Sequence, residues 1–147
     1  MSEVRFVGLV ASTPELARVE LCRLIESEVQ SGARIAVLAH DEAQARALDG
    51  LLWTFDAYSF IPHALLTDDP TPYDAVLIVP PGAAVPAAPV YVNLREEALL
   101  REALPRGLDR PTVIEPYSRG SERRKAAAQR KWEAYRQQGM AVEPLKE

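Results

Sequence analysis

The constraint that most narrows the fold of this chain is a repeated alternation of short apolar runs with amphipathic stretches. Val4 to Val10 (Val-Arg-Phe-Val-Gly-Leu-Val) has the length and β-rich content of a strand. Ser12-Thr13-Pro14-Glu15 follows, where Thr13 caps a helix, Pro14 suits its first turn and Glu15 favours the positive end of its dipole. Ala17, Leu21, Leu24 and Ile25 then fall on one face of a 3.6-residue period that Ser31-Gly32 ends. The unit repeats with Arg34 to Ala39 as a nearly continuous apolar strand and Asp41 to Leu52 as a helix. Ala45, Leu48 and Leu52 share one side of that helix, and Asp41 with Gln44 forms a variant capping box.

Strands this uniformly apolar are buried on both faces, so the β-α-β-α order predicts a mainly parallel sheet between layers of helices. Ala75 to Val79, Val90 to Leu94 and Thr112 to Glu115 supply further strands; Glu96 to Ala103 reads as a short helix and Tyr58 to Ile61 as one more short strand. Pro80 to Pro89 holds four prolines in ten residues and is a loop. With 147 residues and one cysteine, Cys22, the expectation is a single three-layer α/β domain over residues 1–147 that needs no disulfide. A lone thiol suits a reducing compartment, and the absence of a long apolar run argues against a membrane span, so the chain reads as cytoplasmic.

A parallel α/β sheet raises the question of nucleotides, because ligands commonly sit at its strand ends. None of the seven glycines builds Gly-x-Gly-x-x-Gly or a phosphate loop ending in Gly-Lys-Ser/Thr. Asp41 and Glu42, after the strand Ile35 to Ala39, resemble the acidic pair of magnesium-holding ATPase motifs, but a helix cap and a first-turn acid account for both. No Gly-x-Ser-x-Gly elbow is present, and Cys22 falls mid-helix beside Leu21, as a buried inert thiol does. His40 and His63 lack metal-ligand spacing, and Asp68-Asp69 with Pro70 and Pro72 reads as turn chemistry. No catalytic constellation, cofactor site or metal site is expected.

Charge is distributed unevenly. Residues 1–116 carry 9 Lys and Arg against 17 Asp and Glu, net −8, while residues 117–147 carry 8 against 4, net +4. The basic part centres on a helix at about 121–138, capped by Ser121 and ended by Gly139. Lys125, Gln129, Trp132 and Arg136 make one stripe of it; Arg124, Ala128, Lys131 and Tyr135 make the next. Alanines 126 to 128 leave room beside Trp132 for an apolar notch bordered by cations. That combination suits an acidic peptide ending in a hydrophobic residue and a free carboxylate, or, in competition, phosphate and stacked bases. A second cluster, Trp53, Phe55, Tyr58 and Phe60 before Pro62 and His63, is either core or an exposed apolar patch for a partner.

The residues Leu48-Asp49-x-x-Leu52-Trp53, Ser59-Phe60-x-Pro62-His63, Pro116-Tyr117 and the basic helix ending Ala134-Tyr135-Arg136-x-x-Gly139 resemble the chi subunit of bacterial DNA polymerase III. The resemblance runs over most of the chain and is poorest in the proline loop. It implies a non-catalytic replisome adaptor with a nucleotide-binding-like fold. Such an adaptor binds the acidic C-terminal tail of single-stranded DNA-binding protein and joins the clamp loader through the psi subunit. Carried over residue by residue, it implies tail binding by Lys125, Gln129, Trp132, Arg124, Arg136 and Tyr117, and a psi-facing surface at Trp53, Phe60 and Pro62. Gln129 stands where relatives often carry arginine and Trp132 where they often carry tyrosine, while Arg119 to Arg124 include a short insertion. Arg124 or Arg130 is then the expected source of the missing guanidinium. Two other readings are a degenerate nucleotide-binding or helicase-like domain using Asp41 and Glu42, and direct single-stranded DNA binding by the basic helix. The acidic body disfavours the latter.

Overall fold

A computed structural model describes residues 3–66, 71–108 and 110–143. Its sheet has seven strands in the order β3-β4-β2-β5-β6-β1-β7, every pair parallel. They are β1 (Glu3–Leu9), β2 (Ile35–Leu38), β3 (His63–Leu65), β4 (Val76–Val79), β5 (Val90–Asn93), β6 (Thr112–Ser118) and β7 (Ala141–Val142). The helices are α1 (Pro14–Gln30), α2 (Glu42–Thr54) and α3 (Glu122–Gln137). The strand residues alternate between two cores. Ile35, Val37, Val76, Ile78, Val92 and Ile114 pack under α1 and α2. Ala36, Leu38, Val79, Tyr91, Val113 and Val4 pack on the opposite face with Tyr135 of α3 and the segment joining β5 to β6. The expected three-layer α/β domain is what forms.

The helix signals act as their chemistry requires. The Thr13 hydroxyl accepts the Leu16 N–H at 3.2 Å, Asp41 accepts that of Gln44 at 2.7 Å, and Ser121 accepts that of Arg124 at 3.3 Å. Gln44 reaches back to the His40 N–H at 2.6 Å, completing the variant box. In the proline loop, Tyr91 donates its hydroxyl to the Pro86 carbonyl at 2.6 Å and accepts from Ala88 N–H, which holds an otherwise ladder-free segment.

Two expectations need correction. No strand forms at Tyr58 to Ile61; pairing starts at His63, because Pro62 has no N–H and its carbonyl instead receives Ala75 and Val76. Glu96 to Ala103 is not a helix beyond a single 3₁₀ turn at Arg101–Ala103. Its backbone groups are bonded elsewhere, Leu99 N–H to the Tyr135 hydroxyl at 2.8 Å and the Glu97 carbonyl to Asn93 at 2.8 Å. β6 runs on to Ser118 alongside β1, and the two-residue β7, too short to show a period, was not expected. Asp68, Asp69 and Pro70 lie outside the described residues.

What places α3 is a buried carboxylate. Glu115, 1% exposed, accepts hydrogen bonds from Asn93 at 2.7 Å, from Lys131 at 2.9 Å and from the Tyr135 hydroxyl. Lys131 also donates to the Arg95 carbonyl. Burial holds the Glu115 carboxyl above the ordinary range, against the pull of the Lys131 charge and of the Tyr135, Lys131 and Asn93 hydrogen bonds. A group raised on folding contributes stability below its unfolded value and loses it as pH rises through its folded value; Lys131 limits that loss. Lys131→Met is therefore expected to lower unfolding free energy by about 3 kcal/mol near neutral pH and by distinctly less near pH 4, where Glu115 is protonated. Urea unfolding of both proteins at the two pH values checks this, and an equal loss at both would contradict it.

Candidate functional site

The C-terminal ends of β2 and β5 are where a doubly wound sheet ordinarily takes a ligand. The two strands are neighbours, but the chain leaves β2 toward α2 on one face and leaves β5 toward the opposite face. Arg95 fills this position. Its Nε donates to the Ala39 carbonyl at 3.2 Å, and its Nη2 reaches the carbonyls of Pro80 at 3.3 Å and Val79 at 3.4 Å. The shallow cleft beside it, about 220 Å³, is lined by His40, Pro81, Gly82, Arg95, Glu96 and Glu97, whose two carboxylates oppose a phosphate. Asp41 is occupied as the cap of α2, and Glu42 pairs with Arg46 at 2.9 Å. Among the described residues no group of three or more His, Cys, Asp and Glu is placed to hold a metal. The Cys22 thiol is pushed up to about 11 by burial, which leaves little thiolate. His63 is buried, with Nδ1 2.7 Å from the Ile61 carbonyl and Nε2 2.9 Å from that of Asp49.

On the other side of the sheet, α3 divides its two stripes as the period requires. Ala128 and Tyr135 are buried against the sheet, and Lys131 turns inward to Glu115. Lys131 is thus a structural cation, and Ala128 is core where the sequence suggested part of a notch. Lys125 and Trp132 are half-buried on the flank that continues to the exposed Gln129 and Arg136. The Trp132 indole N–H donates to the Glu143 carbonyl at 2.9 Å, just beyond β7, so this flank faces the β1–β7 edge of the sheet. The Arg136 guanidinium lies 4.9 Å from the Trp132 ring centroid, Gln129 reaches Glu133 at 3.4 Å, and Lys125 stands 3.7 Å from Glu122. These long, solvent-facing contacts are weak enough to be exchanged for a ligand carboxylate. Tyr117, on β6, meets Phe6 edge-on at 6.4 Å. Arg124 is exposed at the start of α3, and Arg130 is exposed on the side turned away from the Trp132 flank.

The aromatic cluster after α2 is not core. Trp53 is 56% and Phe60 72% exposed, with ring centroids 6.0 Å apart. Trp53 leans on His63 at 4.6 Å, and Pro62 is half-buried next to it. Tyr58 is almost wholly exposed. The two candidate surfaces therefore lie on opposite helix layers, one at the end of α2 and one on α3. Sequence reasoning missed Arg95 and the Glu115–Lys131 pair. The available signal was a carboxylate at the end of the apolar run Val113-Ile114-Glu115.

Fold and surfaces together define an all-parallel α/β domain in which an arginine fills the strand-end position and a basic helix and an aromatic patch are presented outward. Comparison with known proteins gives the family: a family profile described as DNA polymerase III chi subunit, HolC, matches residues 1–143. DNA polymerase III subunit chi of Pseudomonas aeruginosa is 30% identical over 97% of this chain and 95% of its own length. The Escherichia coli K12 subunit of the same name is 38% identical over 50 residues, 34% of each chain. The chain belongs to the DNA polymerase III chi subunit family.

Because Asp41 acts as a cap, Asp41→Ala is expected to destabilise the fold by about 1 kcal/mol, whereas Asp41→Asn, which still caps, is expected to be nearly neutral. Thermal or urea unfolding of both variants checks the assignment.

Proposed function

We propose that this chain is a non-catalytic adaptor of the replication machinery. In this reading α3 binds the acidic C-terminal tail of single-stranded DNA-binding protein, and the Trp53 surface joins the chain to the clamp loader through psi. Membership of the chi family supports the setting. The observation that carries the tail site is the α3 flank, where Lys125, Trp132 and Arg136 offer two cations around a half-buried indole on a segment of net +4. A tail aromatic packs beside Trp132, its carboxylate meets a cation of this flank, and its aspartates meet the rest. Gln129 on the flank and Tyr117 on β6 serve in this reading as hydrogen-bonding partners, and Arg124 adds positive charge near the helix start. Each exposed pair adds little by itself, but together they speed encounter and make binding weaken with salt.

The exposed pair Trp53 and Phe60, with Pro62 beside them, supports the second surface, since large exposed aromatics mark association sites. No cofactor enters this function. The acidic remainder of the domain, net −8, repels DNA, so the chain reaches DNA through its protein partner. The cytoplasm is the compartment that follows from this role; no described helix is long and apolar enough to cross a membrane.

Lys125→Glu, at a wild-type melting temperature, and Trp132→Ala, at a lowered one but with the fold intact, are each expected to weaken a labelled tail peptide by about tenfold or more. Fluorescence anisotropy at two salt concentrations reads both the loss and the salt slope. Unchanged affinity in both variants would overturn the tail site. Tight binding of a single-stranded oligonucleotide without any partner would favour direct DNA contact instead.

A further inference from the structure

We propose that Arg23 of α1 is a positioning residue for the Trp53–Phe60 surface: it closes a ring of polar contacts that sets Phe60 beside Trp53 before a partner arrives. This rests on the reading of that surface as the psi-facing one. Phe60 lies in the stretch from Phe55 to Ile61, within the connection from α2 to β3. Both ends of the stretch are anchored by apolar packing, Phe55 against the core under α1 and α2 and Ile61 within it. Between them the chain has little apolar hold, because Tyr58 is 99% and Phe60 72% exposed. Polar contacts to α1 supply the hold instead.

The ring runs through two helix residues and two loop residues. Arg23 donates through Nη1 to one oxygen of Asp56 at 2.6 Å and to Glu26, one turn on, at 3.2 Å. The other Glu26 oxygen accepts the Ser59 hydroxyl. Ser59 N–H donates to the Asp56 carbonyl at 3.2 Å, which closes the circuit. The second oxygen of Asp56 accepts Tyr58 N–H at 2.8 Å, so the turn that bends the chain is built on the same carboxylate. Tyr58 N–H and then the Arg23 guanidinium hold the Asp56 carboxyl below the ordinary carboxylate range, which keeps it ionised and able to pair. Arg23 also lies 5.1 Å from the Phe55 ring centroid. One planar guanidinium thus serves two carboxylates and an aromatic face, a combination that a lysine ammonium does not reproduce.

Exposed ion pairs of this kind add little to overall stability. Their effect here is on order. Phe60 follows Ser59 directly, so the ring fixes the backbone from which its side chain projects, and its centroid stands 6.0 Å from that of Trp53. An aromatic anchor already in place loses less freedom on binding, and apparent affinity falls with the fraction of chains that hold it there. Arg23 therefore acts on partner binding through the loop, without being one of the anchors.

The test uses the full chain, purified psi subunit and nuclear magnetic resonance of the chain alone. In the free wild-type chain, ring-to-ring cross-relaxation between Trp53 and Phe60 is expected. Arg23→Gln and Asp56→Asn are each expected to weaken that signal and to lower psi affinity about threefold to tenfold with the fold intact. The double variant Arg23→Gln/Asp56→Asn is expected to lose little more than either single one, because both open the same ring. Lowered affinity with an unchanged Trp53–Phe60 signal would mean that Arg23 touches psi itself and would overturn the positioning role. Wild-type psi affinity in Arg23→Gln and Asp56→Asn, with Trp53→Ala impaired, would overturn the proposal and leave the psi surface standing. Wild-type affinity in Trp53→Ala and Phe60→Ala would overturn the psi reading itself, and the cross-relaxation signal alone would then decide whether the ring orders the loop.

Discussion

The arrangement depends on Glu115, a carboxylate inside the layer between the sheet and α3. α3 buries only Ala128 and Tyr135, too little apolar surface to hold a helix rich in Arg and Lys by the hydrophobic effect alone. The polar contacts complete its attachment. Lys131 and Tyr135 on α3 converge with Asn93 of β5 on one carboxylate, and Lys131 continues to the Arg95 carbonyl. Burying this charge raises the cost of every alternative placement of α3, because a register shift strands it without its cation. The same staple sets the rotation of the helix, and so decides which cations face outward.

Arg95 links that staple to the C-terminal ends of β2 and β4. Its carbonyl receives Lys131 while its guanidinium satisfies strand-end carbonyls at Ala39, Val79 and Pro80. The position at which related topologies hold a phosphate is thereby used for internal cohesion. With that position filled, the chain's outward chemistry resides on its flanks: the Lys125–Trp132–Arg136 side of α3 and the Trp53–Phe60 patch beyond α2. These surfaces belong to different layers, so the two proposed partners would not compete for one face.

The β-α-β-α alternation, the caps at Thr13, Asp41 and Ser121, and the burial of Cys22 were legible because each is a local signal with a local cause. What was not legible depended on partners distant in sequence. Lys131 reads as one more surface cation until Glu115, sixteen residues earlier, is seen beneath it. The 96–103 segment has helical spacing, yet Asn93 and Tyr135 take its backbone groups. Trp53 and Phe60 were ambiguous between core and patch because their exposure depends on how the 55–62 loop turns back over β3, not on their own sequence.

The chain has two tryptophans, one on each proposed surface, which permits a direct measurement of the central claim that α3 is the tail-binding face. In a ¹⁵N-labelled sample titrated with the acidic tail peptide, the indole N–H of Trp132 is expected to shift strongly as its contact with the Glu143 carbonyl is perturbed, while that of Trp53 stays in place. Movement of the Trp53 signal with an unmoved Trp132 would contradict the account.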